Sequence, residues 1–220
     1  KSKSEERDPW YESQLETLFS HKIFTQHKAL HPHYYWLPLI ALYTGARMNE
    51  ICQLYVDDIV EDDGVKLFKF CEDRPDQKLK NENSHRVVPI HSELIRLGFL
   101  IYVESIKELG HPRLFNALTN TRDGYSKNVS TWFGRFRKKL EINVDGKKQD
   151  FHSFRHNVSD FYKQSDNARE VDAAAILGHA DQMITFGRYG KNLEAKKLKR
   201  IIEQLDFRDA LRNVKPWLSK

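Results

Sequence analysis

A chain of 220 residues, 40% hydrophobic and 30% charged, can bury one generous core or two small ones and is too apolar for a disordered tail. No apolar run is long enough to cross a bilayer, since the richest stretch, YYWLPLIALY from Tyr34 to Tyr43, is short and contains Pro38. The net charge of +5 and a pI near 9.0 favour anionic partners, nucleic acid first, although such a balance is weak as a sole argument. No secretory signal opens the sequence. Cys52 and Cys71, its only cysteines, read as two thiols in a reducing compartment. Beginning on Lys1, the chain reads as a fragment of something longer.

In chain order, the charged segment 1–8 is expected to fray. A helix follows, with Asp8 as its N-cap, Pro9 in its first position, and Trp10, Leu15, Leu18 and Phe19 facing inward. A second helix spans about His33 to Tyr43 and stops near Gly45, and a third, ARMNEICQL, begins at once. The apolar period then shortens. YVDDIVEDDGVKLFKF reads as a hairpin turning at EDDG, and HRVVPI as a third strand that Pro89 places at an edge or a strand end. Residues 55–90 are therefore expected to form a small antiparallel sheet.

Helical patterning resumes at Ser92. SELIRLGFLIYVESIKELG predicts one long helix ending at Gly110. YSKNVSTWFGRFRKKL lines up Val129, Trp132, Phe133, Phe136 and Leu140 opposite its basic residues. DFHSFRHNVSDFY does the same with Phe151, Phe154, Val158 and Phe161. DNAREVDAAAILGH predicts a helix ending at Gly178, and a last amphipathic helix covers about 192–206. The fold class is α+β, mainly α, with a small three-stranded antiparallel sheet.

Several positions could carry chemistry. Arg47 sits at a loop-to-helix junction, where helix starts favour anions, and Glu50 three residues on could hold it; alone, the pair also fits an ordinary surface ion pair. Lys80, in the polar loop before the third strand, could donate a proton, with Lys78 close enough to compete; alone, either fits a solvated lysine. His152 and Arg155, about one helical turn apart, both donate hydrogen bonds, and a guanidinium matches two phosphate oxygens; a satisfied histidine beside a snorkelling arginine is an equal reading. His179 follows the helix end at Gly178, and Tyr189 follows ten residues later in GRYGK. A tyrosine hydroxyl attacks phosphorus if oriented and met by cations. No other tyrosine follows Tyr162.

Taken in order, TGAR with its Glu, a hairpin Lys, HxxR, LGH and a following Tyr resemble the catalytic domain of the tyrosine recombinase (phage integrase) family, over about residues 10–205. The His-to-Tyr spacing is one residue longer than the family's usual pattern, as a one-residue insertion between His179 and Thr185 would produce. The resemblance implies the family's DNA breaking-rejoining fold and a catalytic set of Arg47, Lys80, His152, Arg155, His179 and Tyr189, supported by Glu50 and Gly178. It implies a site-specific recombinase that works through a 3′-phosphotyrosyl link, with no cofactor and no metal. The implied partners are double-stranded DNA attachment sites, a homotetramer on DNA that can be a monomer when free, and accessory DNA-bending proteins, with no membrane.

The location it implies is the cytoplasm of a bacterial or phage-derived system. The implied layout is a frayed segment 1–9 cut from an upstream DNA-binding domain, a catalytic domain 10–190, and a C-terminal helix and tail 191–220. Residues 192–206 would pack on a neighbouring protomer or cap their own core, two equal expectations. Lys196, Lys197, Lys199 and Arg200 would touch DNA or keep that helix soluble. The rivals are a type IB topoisomerase, a DNA-binding module without catalysis, and metal-dependent hydrolysis through the HxxxH pairs His27/His31 and His152/His156. Neither pair carries the glutamate of a hydrolase motif.

Overall fold

The computed structural model describes residues 7–81, 84–122, 124–143, 146–165, 170–178 and 195–218. The first helix, α1, spans Glu12–Phe19 and starts later than the sequence predicts. Asp8 does not cap it. Its carboxylate instead accepts hydrogen bonds from the Lys148 N–H at 2.9 Å and from Lys147 Nζ at 3.0 Å, which ties the N-terminal segment to the loop before the HxxR helix. The Gln14 side chain takes over at the helix start and accepts the Tyr11 N–H at 2.9 Å. Trp10, Leu15, Leu18 and Phe19 are buried, as their spacing predicts.

After the short α2 (Lys22–Thr25), α3 (Pro32–Thr44) is apolar on nearly every face and runs through the core. Gly45 ends it in the left-handed conformation, φ +62°. A Cβ there would lie 2.5 Å from Leu177 Cδ2, so a later helix also crowds this position. The next helix, α4 (Met48–Cys52), begins three residues on.

The sheet is antiparallel in the order β1 (Ile59–Asp62), β2 (Val65–Phe70), β3 (Arg86–Pro89). Asp63 and Gly64 both have positive φ, which matches the right-handed twist of a tight hairpin. Phe68 pairs with Ile59 on one side and Val88 on the other. β3 is an edge strand, and Pro89 closes it.

The long helix expected over 92–110 is two helices, α5 (Ser92–Arg96) and α6 (Phe99–Glu108), broken at Gly98 with φ +89°. The break is tertiary in origin. The Trp217 N–H donates to the Leu97 carbonyl at 2.8 Å, and the Trp217 carbonyl lies 3.2 Å from where a Gly98 Cβ would be.

The remaining helices are α7 (Lys127–Lys139), α8 (Ser153–Gln164), α9 (Glu170–Leu177), α10 (Ala195–Ile202) and α11 (Arg208–Leu211). α8 packs on α3, α9 on α8 and β3, and α10 on β3, β2 and α9. Leu198, Ile201, Ile202 and Leu205 are buried against their own chain. Past α11 the tail crosses back to the N-terminal helices. The Lys215 N–H donates to the Phe24 carbonyl at 2.9 Å, and the Tyr35 hydroxyl donates to the Lys215 carbonyl at 2.6 Å. The mainly helical fold with a small antiparallel sheet is the class read from the sequence. Among the described residues no helix is long and apolar enough to cross a membrane.

Candidate active site

Arg47 stands where α3 turns into α4, one peptide beyond the Gly45–Ala46 corner. The Glu50 carboxylate accepts the Arg47 backbone N–H at 2.9 Å with one oxygen and Arg47 Nη1 at 2.6 Å with the other, so one side chain fixes both the helix start and the guanidinium. Arg47 Nη1 also donates to Ser84 Oγ at 3.1 Å. Glu50 is itself buried, at 2% side-chain exposure, whereas Arg47 keeps 22%. A buried carboxylate with one half-exposed partner would be unstable as an ion. The second partner is Arg86, whose Nη2 donates to Glu50 Oε2 at 2.8 Å. Burial tends to raise the Glu50 pKa, but Arg86 and Arg47 outweigh it and hold the carboxyl below its usual range.

Arg155 lies in the first turn of α8. Phe151, Phe154 and Val158 are buried and pin that helix to the core, which carries Arg155 in with them. It does not snorkel. Nη1 donates to the Gly45 carbonyl at 2.9 Å and Nη2 to the Leu177 carbonyl at 2.5 Å, joining the ends of α3 and α9. Among the described residues no carboxylate pairs with it. Burial, followed by the charges of Arg47 and Arg86, pushes its pKa down to about 9, with Glu50 opposing. Among the described residues, then, two guanidiniums share the Glu50 carboxylate and a third, Arg155, stands nearby on carbonyls alone. The surplus positive charge in a partly desolvated setting favours an anion there.

His152 is at the exposed start of α8, where its N–H donates to Asp150 Oδ1 at 2.7 Å. Loss of hydration against its neighbours, then Arg155 and His156, push the imidazole down to about 4, with Asp150 pulling the other way. The ring is therefore neutral near pH 7. A groove of about 480 Å³ opens beside it, lined among others by Met48, Ser126, Arg137, Asp150 and Phe151. The His152 and His156 rings are 5.3 Å apart, and among the described residues no third ligand joins them in a metal-binding group.

The lysines lie on the β2–β3 loop, which is anchored along its first half. Asp76 accepts the Tyr55 hydroxyl at 2.7 Å and the Tyr125 hydroxyl, while Gln77 Nε2 donates to Asp58 at 2.8 Å. The Lys78 N–H donates to Gln53 Oε1 at 2.9 Å and the Leu79 N–H to Glu72 at 3.1 Å. Lys78 and Lys80 are both exposed. Lys80 lies beyond the last of these anchors and four residues before Ser84, which touches Arg47.

Gly178 closes α9 in the left-handed conformation, φ +68°, with its N–H on the Ala174 carbonyl at 2.8 Å. His179 and Tyr189 lie outside the described residues. The structure thus brings together Arg47, Glu50, Arg155 and the end of α9, with His152 close enough to feel both arginines. It adds Arg86 and Ser84, which the sequence reading passed over. The available signal was a charged residue inside the short apolar run HRVVPI.

Fold and site together define a mainly helical protein with a cation-rich corner beside a small sheet. Residues 11–196 match the model of the phage integrase family. Among solved structures, the chain is similar to the integrase of the Tn1549 transposon in complex with circular intermediate DNA, at 18% identity and TM-score 0.55, covering 93% of this chain and 69% of that one. A variant of that integrase in complex with transposon right end DNA gives 20% identity and TM-score 0.56, covering 93% and 68%. XerA recombinase gives 19% identity and TM-score 0.50, covering 93% and 65%. No curated protein matches the chain. The chain belongs to the phage integrase family, the tyrosine recombinases, and is a site-specific recombinase.

Proposed function

We propose that this chain cleaves and rejoins double-stranded DNA at attachment sites with Tyr189 as nucleophile and Arg47 and Arg155 as the electrostatic clamp. The Tyr189 oxygen attacks the scissile phosphorus, the bond to the 5′-oxygen breaks, and a 3′-phosphotyrosyl link forms. His152, neutral in the free protein, takes the tyrosine proton, and Lys80 gives one to the departing 5′-oxygen. Lys78, on the same loop, is the alternative donor. His179 hydrogen-bonds the phosphate. A 5′-hydroxyl from a partner strand then attacks the link, so that one phosphodiester is exchanged for another and no nucleotide cofactor is consumed. The arginines supply the charge that a metal would otherwise supply.

The observation that carries this reading is the excess of guanidinium over carboxylate at the Arg47–Glu50–Arg86–Arg155 corner. An anion with two non-bridging oxygens is the natural complement to that excess. The Tn1549 integrase structures were solved with DNA, which supports a duplex partner here. Assembly on DNA is as a homotetramer holding two duplexes, with accessory DNA-bending proteins shaping the sites.

The test is covalent capture from a library of nicked duplexes with a randomised core. In these the short cleaved strand diffuses away and traps the adduct. The wild-type chain is expected to retain a defined subset of sequences through denaturing washes, with a chelator making no difference. Arg47→Ala and Arg155→Met are each expected to slow capture by about 100-fold or more, the scale of losing one transition-state charge contact. Equal capture by wild type and both variants would refute the assignment.

A further inference from the structure

We propose that Arg86, on the first residue of β3, is a positioning residue of the recombination centre: it sets Arg47 through Glu50 and holds the end of α9 in place. This rests on the cleavage site proposed above. The guanidinium is spent entirely inside the protein, at 2% side-chain exposure. Nε donates to the Ile176 carbonyl at 2.7 Å, Nη1 to the Ser84 carbonyl at 2.8 Å and Nη2 to Glu50 Oε2 at 2.8 Å. The Phe70 ring packs under it, 4.6 Å from ring centre to the guanidinium carbon. With so little exposure and all three nitrogens engaged, it does not reach DNA directly.

Its three acceptors belong to three separate pieces of the site. Glu50 is the residue that orients Arg47. Ser84 closes the loop that carries Lys78 and Lys80, and its hydroxyl meets Arg47 at 3.1 Å. Ile176 is the next-to-last residue of α9, and the adjacent Leu177 carbonyl is held by Arg155 at 2.5 Å. The two final carbonyls of α9 are therefore gripped by two different arginines, just before Gly178 turns the chain toward His179. A helix end leaves such carbonyls without intrahelical partners, and an arginine fork can satisfy one while fixing its direction.

A lysine at position 86 could keep the charge but not the three directions. Without Arg86, Glu50 would face Arg47 alone. The carboxylate could then rotate toward the Arg47 side chain and draw it away from an incoming phosphate. The surplus of positive charge would fall with it. Arg86 thus acts on the reaction through Arg47, and its loss should resemble a partial loss of Arg47.

The experiment uses the duplex recovered by covalent capture, made in two forms. One carries the natural scissile phosphate. The other carries a methylphosphonate, which lacks the negative oxygen that Arg47 answers. Single-turnover adduct formation is measured for wild type, Arg86→Met, Arg86→Lys, Arg47→Lys and the Arg86→Met/Arg47→Lys double variant, with DNA affinity and thermal melts alongside. Wild-type adduct on the natural duplex establishes the parent reading, and its absence would count against that reading alone.

Given wild-type adduct, Arg86→Met is expected to slow the natural reaction by about 10-fold or more, with DNA affinity within about 3-fold of wild type. The deficit should shrink to less than about 3-fold on the methylphosphonate. Added to Arg47→Lys it should cost less than about 2-fold more, because the two act as one unit. Should Arg86→Met lose its cooperative melt, Arg86→Lys carries the same expectations. The proposal is overturned by an equal deficit on both duplexes, a multiplicative deficit in the double variant, or an unchanged rate.

Discussion

Glu50 and His33 show how differently burial can act on single residues. Glu50 is buried yet held as a carboxylate by two arginines. His33, 4% exposed, has no such partner among the described residues. Burial and the neighbouring His31, whose ring stacks on it at 5.0 Å, push its pKa down to about 4. Its folded pKa is thus below the unfolded value, so the unfolded chain binds a proton first as pH falls. The stability that His33 contributes is complete above about pH 6.5 and is lost progressively as pH falls to about 4, up to roughly 3 kcal/mol in all. His152 shifts in the same direction. Urea melts between pH 7 and 4 should show His33→Gln losing markedly less stability on acidification than wild type. Parallel curves for the two proteins would count against a buried neutral His33. The same scale explains what was legible at the site. Residue types and order were enough to nominate Arg47, Glu50, His152 and Arg155. Arg86 was passed over because its three acceptors, Glu50, Ser84 and Ile176, come together only in the folded chain.

At the scale of elements, apolar spacing was readable wherever one face alone meets the core. α7 and α8 lie where Phe133, Phe136, Phe151 and Phe154 predict them. α3 was readable as a helix over about His33 to Tyr43 that stops near Gly45, and it spans Pro32–Thr44. Two boundaries were not legible, each because the deciding partner is distant in sequence. Asp8 looks like a helix cap until Lys147 and Lys148 claim its carboxylate. The helix over 92–110 keeps its apolar period through Gly98, and only the returning tail at Trp217 breaks it. Gly98→Ala should therefore destabilise the protein by about 1–2 kcal/mol, from the left-handed φ, with added cost from the approach to the Trp217 carbonyl. Denaturant midpoints would measure it, and an unchanged midpoint would mean that the α5–α6 break is incidental.

Across the whole molecule, the catalytic candidates hang on a frame whose two ends meet. α10 packs on β2 and on β3, the strand that begins with Arg86, and the tail beyond α11 returns to Phe24, Tyr35 and Leu97. The segment containing His179 and Tyr189 therefore starts at α9, whose last carbonyls are held by Arg86 and Arg155, and ends at α10, which is seated on the sheet. Both flanks are fixed to the elements that position Arg47. That arrangement suits a nucleophile delivered to a preset cationic corner.

The most direct test is to trap the covalent adduct on a nicked duplex, digest protein and DNA, and locate the nucleotide-bearing peptide by mass spectrometry. The account predicts a single phosphotyrosyl peptide containing Tyr189, absent from Tyr189→Phe, with the DNA joined through its 3′ end. Attachment at another residue, a 5′ linkage, or an adduct that persists in Tyr189→Phe would contradict it.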